Sequence, residues 1–519
     1  MSKVCSMREA VDLIKSGDFI ATSGMLTAGI AEEVFKAIEE RFLQTGAPRN
    51  LSAIAGPGQG NWKGTAYDHF VHDGLLTRII DSHLGGCVEL GKAINANKIE
   101  AYNFPLGVIT AMLRNAIRHS PGELTKVGLK TFVDPRVSGG KLNEITTEDL
   151  VEVVNFNGEE WLYYKTPKLD IGIIRATTAD ENGNLSIEDE MLPLDIRLCA
   201  MAVKACGGKV IAQVKNVAKA GTIPSRKVEV PGIFVDAVVV SQDPQTNHKQ
   251  TEEFFYEPSL SGSIVVPESS LEPLPLDERK IIARRAAMEL KPNAVVNLGI
   301  GMPEGVSRVG AEEGFFDKLV LTSESGIIGG LPCGGLSFGA GRNSWGVLEL
   351  ASQFDFYDGG ALDMAFLSFA QIDGSGNVNV SKYGPKVTGC GGFINISQNT
   401  PKIIFMGSFT AGGLEIQTGN GTLKIRKEGN TRKFVSQVDQ ITYSGLLGIE
   451  NVQDVIFVTE RAVFKLVAGG LELVEIAPGI DLVQDILSQM DFKPHVSTEL
   501  KLMDRSIFEH QPMGCKKYM

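Results

Sequence analysis

The sequence has little of what secreted, metal-binding or membrane-spanning proteins usually carry. Its seven cysteines lie far apart and never form a Cys-x-x-Cys pair, which argues against a disulfide framework and against a zinc site. No apolar run reaches the roughly 18 residues that a membrane helix needs. The N-terminal segment also lacks the apolar core of a signal peptide. We therefore expect a cytoplasmic protein that binds no metal and does not enter a membrane.

Basic residues are scarce as well. The 519 residues include 50 lysines and arginines against 62 aspartates and glutamates, which gives a net charge of −12. Nucleic acids and anionic membranes reward basic clusters, so neither is an expected partner. The sequence contains no Gly-x-Ser-x-Gly elbow and no P-loop. His69, His72 and His83 form a loose group, for which packing on a helix face is a better interpretation than metal binding.

Glycine, in contrast, is abundant and clustered. The 58 glycines predict tight loops in which the backbone closely approaches another group. The length predicts two domains. A weak internal repeat with a period of about 277 residues supports this division. The segment 265–276 contains three prolines within nine residues and reads as a linker.

Each half begins with the same order of elements: a helix, a breaker, a short apolar strand, a glycine turn and a second helix. Strands that alternate with helices predict a mainly parallel sheet covered on both faces. We expect an α/β protein with two related, open, mainly parallel domains at 1–264 and 277–519, joined by the linker. The predicted helices are 8–15, about 28–41, 277–290 and 304–312, and the predicted strands are 19–22 and 294–298.

Glu324 is the first candidate for chemistry. In open α/β sheets, ligands bind beyond the carboxyl ends of the strands. Glu324 follows the predicted strand 319–322 and stands among glycines and small hydroxyl residues. The matching strand end in the first half, near 55–58, has no carboxylate, so we expect one site per chain.

Glu324 has two other interpretations. The first is a solvated loop residue. The second is a residue that binds a ribose in a dinucleotide-binding unit, which would begin at Gly299-Ile300-Gly301. The glycine spacing fits that unit poorly, because Pro303 interrupts it and Gly305 comes one residue late.

Two cysteines and one further turn also lie in glycine-rich loops. Cys333 and Cys390 have no histidine nearby in sequence, so small apolar packing is the better interpretation of both. The turn 389–392 follows the run 377–380. Its backbone N–H groups are candidates for lining an anionic intermediate, although a plain tight turn would look the same.

At Ser323-Glu324-Ser325-Gly326 the chain resembles family I CoA-transferases. It is most similar to single-chain propionate or acetate CoA-transferases, which act on short-chain acyl-CoA and a carboxylate, and more distantly to succinyl-CoA:3-ketoacid CoA-transferase. The likeness runs over essentially the whole chain. Further matching segments are 132–136, 140–144, 295–301, 353–360, 391–396, 459–464 and 475–482.

The resemblance implies a ping-pong transfer of CoA from a short-chain acyl-CoA, such as acetyl-, propionyl- or butyryl-CoA, to an acceptor carboxylate. Glu324 would be the nucleophile and would pass through an acyl-glutamyl anhydride and a glutamyl-CoA thioester. CoA would be a co-substrate, with no tightly bound cofactor. The ordinary glutamate pKa of about 4.3 predicts an ionised Glu324 at neutral pH, which needs no general base.

The resemblance also assigns residues. It gives a CoA-binding role to a glycine loop and to Gly391. It gives an oxyanion-stabilising role to Gly391 or Gly392, and it places Leu106 and Gly107 in the substrate pocket. Relatives commonly have glutamine where this chain has Leu106, and leucine cannot donate a hydrogen bond. The residues of the CoA-binding loop are Gly299, Ile300, Gly301, Met302 and Pro303.

Relatives are homo-oligomers, so we expect a dimer or a tetramer. Two alternatives stay open at this point. One is an acyl-CoA hydrolase on the same scaffold, in which water resolves the glutamyl-CoA. The other is a non-catalytic ligand-binding α/β protein, against which the intact Glu324 argues.

Overall fold

The protein was analysed as a computed structural model, which describes residues 2–267 and 273–515. We call residues 2–264 the N-terminal half and residues 277–515 the C-terminal half. Each half contains one large β-sheet with helices packed against it. The α-helices of the described residues are α1 (Met7–Val11), α2 (Glu32–Thr45), α3 (Val88–Asn95), α4 (Leu106–Arg118), α5 (Ile196–Ala205), α6 (Pro244–Asn247), α7 (Glu278–Ala287), α8 (Glu304–Glu313), α9 (Leu350–Asp358), α10 (Phe393–Asn399) and α11 (Gly445–Glu450).

The sheet of the N-terminal half is entirely parallel. Within residues 2–267, seven strands form it in the order β7-β6-β5-β1-β2-β3-β4. Its central strands are buried on both faces, which explains their continuous runs of apolar residues. The strands are β1 (Phe19–Thr22), β2 (Leu51–Ala55), β3 (Leu76–Asp81), β4 (Glu100–Asn103), β5 (Ile171–Arg175), β6 (Lys209–Val214) and β7 (Ala237–Val240).

The sheet of the C-terminal half has a parallel centre, and mainly antiparallel pairs extend it on both sides. Among residues 273–515, ten strands form it in the order β11-β10-β9-β8-β12-β13-β14-β15-β16-β17. Strands β9, β8, β12, β13 and β14 run parallel in that order. The strands are β8 (Val295–Leu298), β9 (Val320–Thr322), β10 (Ile327–Ile328), β11 (Gly346–Val347), β12 (Met364–Ser368), β13 (Lys402–Met406), β14 (Asp454–Val458), β15 (Ala462–Val467), β16 (Gly470–Ile476) and β17 (His495–Leu502).

Smaller sheets decorate the two large ones. Two of them have three strands and five are two-stranded pairs, counted over the described ranges. The three-stranded sheets are Gly122–Thr125 with Glu159–Lys165 and Val151–Phe156, and Leu185–Ser186 with Thr178–Asp180 and Asn216–Ala218. The pairs are Leu331–Pro332 with Gly341–Arg342, Gln371–Ile372 with Val378–Asn379, Lys382–Tyr383 with Lys386–Val387, Thr410–Ala411 with Thr431–Arg432, and Glu415–Gly419 with Thr422–Lys427.

The predicted fold class, two mainly parallel α/β halves, is confirmed, and most differences lie at helix ends. Helix α2 begins at Glu32 rather than near residue 28, because Met25 and Ala28 exchange backbone hydrogen bonds in a tight turn. Helix α1 spans Met7–Val11 and is therefore shorter than the predicted 8–15, because a turn at 12–13 ends it. The last strand of the first sheet ends at Val240 and α7 begins at Glu278. The domain boundaries stay a prediction, and residues 268–272 of the predicted linker lie outside the described residues.

The two halves share buried apolar contacts. One core cluster joins Met25 and Leu194 of the N-terminal half to Ile327 and Phe338 of the C-terminal half. Leu106 likewise belongs to the core of the C-terminal half. Across residues 2–267 and 273–515, no helix combines the length and the apolar character that crossing a membrane requires.

A buried asparagine connects the glycine turn 389–392 to the first sheet. Asn103, at the end of β4, donates through Nδ2 to the carbonyl oxygens of Asp81 (2.8 Å) and Ser82 (2.7 Å). Its Oδ1 accepts from the backbone N–H of Cys390 at 3.0 Å. The N–H of Gly391 donates to the Ser82 oxygen at 2.7 Å. The ends of β3 and β4 therefore fix the position of a turn that belongs to the other half.

Replacing Asn103 with leucine should destabilise the protein by about 3 kcal/mol, because the buried N–H of Cys390 loses its partner and the carbonyl oxygens of Asp81 and Ser82 each lose one of two hydrogen bonds. Thermal denaturation measures this loss. The control is Asn216→Leu, an exposed asparagine whose replacement should cost less than about 0.5 kcal/mol. Equal effects of the two substitutions would contradict the connecting role of Asn103.

Candidate active site

A cavity of about 310 Å³ opens at the carboxyl ends of strands β8, β9 and β12. The turn 389–392 closes one side of it. Its lining is mainly apolar with a few polar groups, which is the usual composition of a small-molecule site. Its apolar lining includes Leu298, Ile300, Phe338, Leu367, Phe369, Val380, Phe393 and Ile396, and its polar lining includes His83, Asn297, Glu324, Ser368, Tyr383 and Thr388.

Glu324 lies in the tight connection between β9 and the antiparallel strand β10. The backbone N–H of Ser323 donates to the Ile327 oxygen at 3.0 Å, and that of Gly326 donates to the Ser323 oxygen at 3.0 Å. The Ser325 hydroxyl also holds this turn in place by donating to the Gly339 carbonyl at 2.6 Å. A short, internally bonded turn at a strand end thus directs the Glu324 side chain into the cavity.

The environment of Glu324 differs from the expected one. Burial raises the pKa of Glu324 to about 7, although a hydrogen bond with the backbone of Gly392 opposes this shift. The prediction of a fully ionised carboxylate at neutral pH is therefore wrong, because apolar walls replace most of the water that would stabilise the charge. A substantial fraction of the protein carries a neutral Glu324 at pH 7. The interpretation as a solvated loop residue fails for the same reason.

The two adjacent glycines of the turn differ in what they offer to the cavity. The N–H of Gly391 is already bonded to the Ser82 carbonyl. Gly392 faces the Glu324 carboxylate, and a Cβ at this position would overlap Glu324 Oε2 and approach Phe354 to 2.7 Å. A Cβ at Gly391 would meet nothing within 4 Å. Gly392 is therefore the glycine that must lack a side chain for the carboxylate to lie here.

The predicted CoA-binding loop reaches the cavity with its first two residues. Gly299 and Ile300 line the cavity, and the Ile300 side chain is 45% exposed at its mouth. Gly301 has a φ of +83° and donates through its N–H to Glu304 Oε1 at 2.8 Å, which begins helix α8. Met302 packs against the core. Pro303 immediately precedes α8 and, like Gly301 and Met302, is not part of the cavity wall.

Leu106 and Gly107, predicted as pocket residues, lie behind the glycine turn. Leu106 is 1% exposed, and its backbone N–H donates to the Gly391 oxygen at 3.0 Å. The N–H of Gly107 donates to Asn395 Oδ1 at 3.1 Å, and the absence of a Cβ lets α4 pack closely on Phe354. Neither residue lines the cavity, because both are used in packing α4 against the C-terminal half. They support the glycine turn and do not contact the cavity.

The other chemical candidates do not form a competing site. Burial raises the pKa of the Cys333 thiol to about 11, and it raises that of Cys390 further, so both thiols stay protonated. His69 contacts Glu32 and Glu39 on helix α2, which fits the packing interpretation. In the part of the chain that the structure describes, no group of three or more His, Cys, Asp or Glu residues could hold a metal ion.

Five polar residues of the cavity lining were not predicted as site residues, and Ser368 and Tyr383 are two of them. His83 follows the end of β3, Asn297 lies at the end of β8, and Thr388 directly precedes the glycine turn. The Oδ1 of Asn297 and the hydroxyl of Thr388 are buried without a hydrogen-bond partner among the described residues. For His83 the signal was available, since it follows a strand end as Glu324 does. Nothing in the sequence says that these two strand ends meet.

The comparison with known sequences points in one direction. The sequence profile of the family described as Coenzyme A transferase matches residues 4–241. The chain is 44% identical to the caffeate CoA-transferase of Acetobacterium woodii over 525 residues, which cover 100% of both proteins. It is 43% identical to the acetate CoA-transferase YdiF of Escherichia coli K12, covering 98% of this chain and 96% of that protein.

Solved structures agree with the sequences. The crystal structure of the acyl-CoA transferase YdiF apoenzyme from Escherichia coli O157:H7 superposes with a TM-score of 0.92 at 42% identity, covering 99% of this chain and 97% of that one. A thioester complex of the same enzyme with CoA also gives a TM-score of 0.92, at 41% identity and the same coverage.

The raised pKa of Glu324 should make the folded protein less stable as the pH rises. A carboxyl group with a folded pKa near 7 stays neutral where the unfolded chain, with a pKa of about 4.3, ionises freely, so stability is lost between about pH 4 and pH 7. Glu324→Gln removes this loss. We expect it to stabilise the protein by about 2 kcal/mol more at pH 8 than at pH 5, as measured from thermal midpoints. Glu144→Gln, an exposed control, should give the same small effect at both pH values; a pH-independent effect of Glu324→Gln would contradict the prediction.

Proposed function

The chain belongs to the coenzyme A transferase family, and from this premise we propose that it moves CoA from a short-chain acyl-CoA to an acceptor carboxylate, with Glu324 as the nucleophile. The observation that carries the proposal is the placement of Glu324. Among the described residues, it is the one carboxylate that lines the cavity. It emerges there from a rigid turn and lies against the backbone of Gly392.

The proposed reaction begins when an ionised Glu324 oxygen attacks the carbonyl carbon of the donor thioester. The carbon–sulfur bond breaks, which leaves an acyl-glutamyl anhydride and CoA thiolate. The thiolate then attacks the glutamyl carbonyl and expels the donor acid as a carboxylate, which leaves glutamyl-CoA. The acceptor carboxylate reverses the two steps. One thioester replaces another of similar energy, so the cycle consumes no further reactant.

The surroundings of Glu324 suit this chemistry. Each attack creates a negatively charged oxygen, which prearranged N–H donors stabilise better than water does. We assign this role to the N–H of Gly392, since that of Gly391 is bonded to Ser82. The neutral fraction of Glu324 at pH 7 is unreactive, but burial makes the ionised fraction a stronger base and a stronger nucleophile.

The loop Gly299-Ile300 supports entry of CoA from one side of the cavity. The exposed Ile300 side chain offers an apolar surface to the pantetheine arm at the mouth. The apolar lining suits the alkyl part of an acyl group. The two relatives described above are named for acetate and for caffeate, so enzymes at this level of identity differ in the acid they use. Acetate, propionate and butyrate are the acids we propose to test first.

The assembly and the location stay predictions. We propose a homo-oligomer, either a dimer or a tetramer, acting in the cytoplasm on acyl-CoA and short-chain carboxylates.

Incubation with propionyl-CoA and no acceptor should leave CoA covalently attached to the protein. Intact mass spectrometry should detect this CoA-sized adduct on the wild type and not on Glu324→Ala. Glu349→Ala, a partly buried glutamate outside the cavity lining, is the control and should still form the adduct. Absence of an adduct on the wild type would exclude covalent catalysis and favour a binding protein. Rapid loss of the adduct to water, independent of added acid, would instead indicate an acyl-CoA hydrolase.

The two glycines of the turn provide a second test. Gly392→Ala places a methyl group on the Glu324 carboxylate, so we expect adduct formation to slow by at least 100-fold. Gly391→Ala has free space and suffers only the strain of its positive φ of +53°, about 1 kcal/mol. It should therefore stay within tenfold of the wild type. The reverse order of the two effects would contradict the assignment of Gly392.

A further inference from the structure

The N-terminal half contributes one side chain to the cavity. Of the residues that the structure describes, His83 is the only member of the lining that comes from before Asn297. It follows β3, and it pairs with Gly389 in an isolated antiparallel bridge. The same connection that fixes the glycine turn therefore also brings an imidazole to the cavity that contains Glu324.

The orientation of the ring is set by neighbouring glycines. A Cβ built on Gly58 would lie 2.7 Å from His83 Nδ1, so the Nδ1 side of the ring is turned toward that backbone. A Cβ on Gly85 would lie 3.0 Å from Cε1 and 3.4 Å from Nε2 of the ring, and 3.2 Å from Cγ2 of Thr388. The Nε2 edge therefore lies next to Thr388, which lines the cavity itself.

The surroundings of His83 favour a neutral ring, whose nitrogens form no hydrogen bond to another described residue and hydrogen-bond only with the backbone of His83 itself. Burial and the positive charge of Lys386 lower the pKa of His83 to about 4. A neutral imidazole carries one N–H donor and one acceptor. Thr388, its neighbour, also has a buried hydroxyl without a partner. Polar groups that face an otherwise apolar cavity, without being used by the protein, are expected to meet the polar atoms of a ligand.

We propose that His83 donates a hydrogen bond to the carbonyl oxygen of the acyl group while that group is bound to Glu324, and that it holds the carboxylate of the incoming acid in the same place. This inference rests on the proposed function and adds a substrate-contacting residue to it. His83 supplies this donor from beside the glycine turn, where it pairs with Gly389. It thereby provides the side-chain hydrogen bond that Leu106, buried behind the turn, cannot provide.

The proposal predicts a loss in the chemical step and not in CoA binding. His83→Phe keeps a flat ring on the cavity wall but removes the donor, so we expect the rate of glutamyl-CoA formation from propionyl-CoA to fall about 100-fold. The dissociation constant of free CoA should change by less than about threefold, since CoA itself lacks the acyl oxygen. His83→Gln restores an N–H donor and should recover the rate to within about tenfold of the wild type.

The measurement is rapid-quench intact mass spectrometry, with CoA affinity from calorimetry and folding from thermal denaturation. His495→Phe, an exposed histidine on β17, is the matched control and should leave all three unchanged. Equal rates for wild type and His83→Phe would overturn the proposal, and so would equal losses in the phenylalanine and glutamine variants. Failure of the wild type to form any adduct would refute the proposed function instead, so the two failures are distinguishable.

Discussion

The close contact between the Glu324 carboxylate and the backbone of Gly392 is the constraint on which the rest of the site depends. It requires a residue without a side chain at position 392. It also requires that the glycine turn be held rigidly, because a shift of one ångström would remove the contact. The hydrogen bonds from the ends of β3 and β4 to this turn meet that need. One part of the interface between the two halves therefore holds the turn that contacts the Glu324 carboxylate.

The same contact explains the electrostatic character of the site. Apolar walls strip water from Glu324 and raise its pKa to about 7, while a single backbone N–H offsets part of the cost. At pH 7 a smaller fraction of Glu324 is ionised than of a solvated glutamate, but its ionised form is more basic. The folded protein thus contains a carboxyl group with a strongly perturbed pKa, and such groups cluster at functional sites. His83 shows the complementary effect, because burial keeps it neutral and therefore able to act as a donor that carries no charge.

The two halves share an architecture but contribute different groups to the cavity. In the C-terminal half, the strand end after β9 carries the carboxylate, and the loop after β8 lines the cavity. In the N-terminal half, the strand ends after β3 and β4 bind the turn that closes the cavity and present His83 to it. This division fits an ancestral duplication after which the two copies came to carry different groups at their strand ends.

The sequence by itself determined the α/β class and the two mainly parallel halves and made Glu324 a candidate, because strand periods, glycine turns and strand-end acids are local patterns. Strand β1 lies where its apolar run predicted it, and α8 begins at the predicted Glu304. Only the tertiary structure decided the pKa of Glu324 and showed that Gly392, and not Gly391, contacts its carboxylate. It also decided that Leu106 is buried in the core and that His83 lines the cavity. Each of these depends on contacts between segments far apart in the chain, and burial and hydrogen-bond partners at such separations leave no periodic trace in a single sequence.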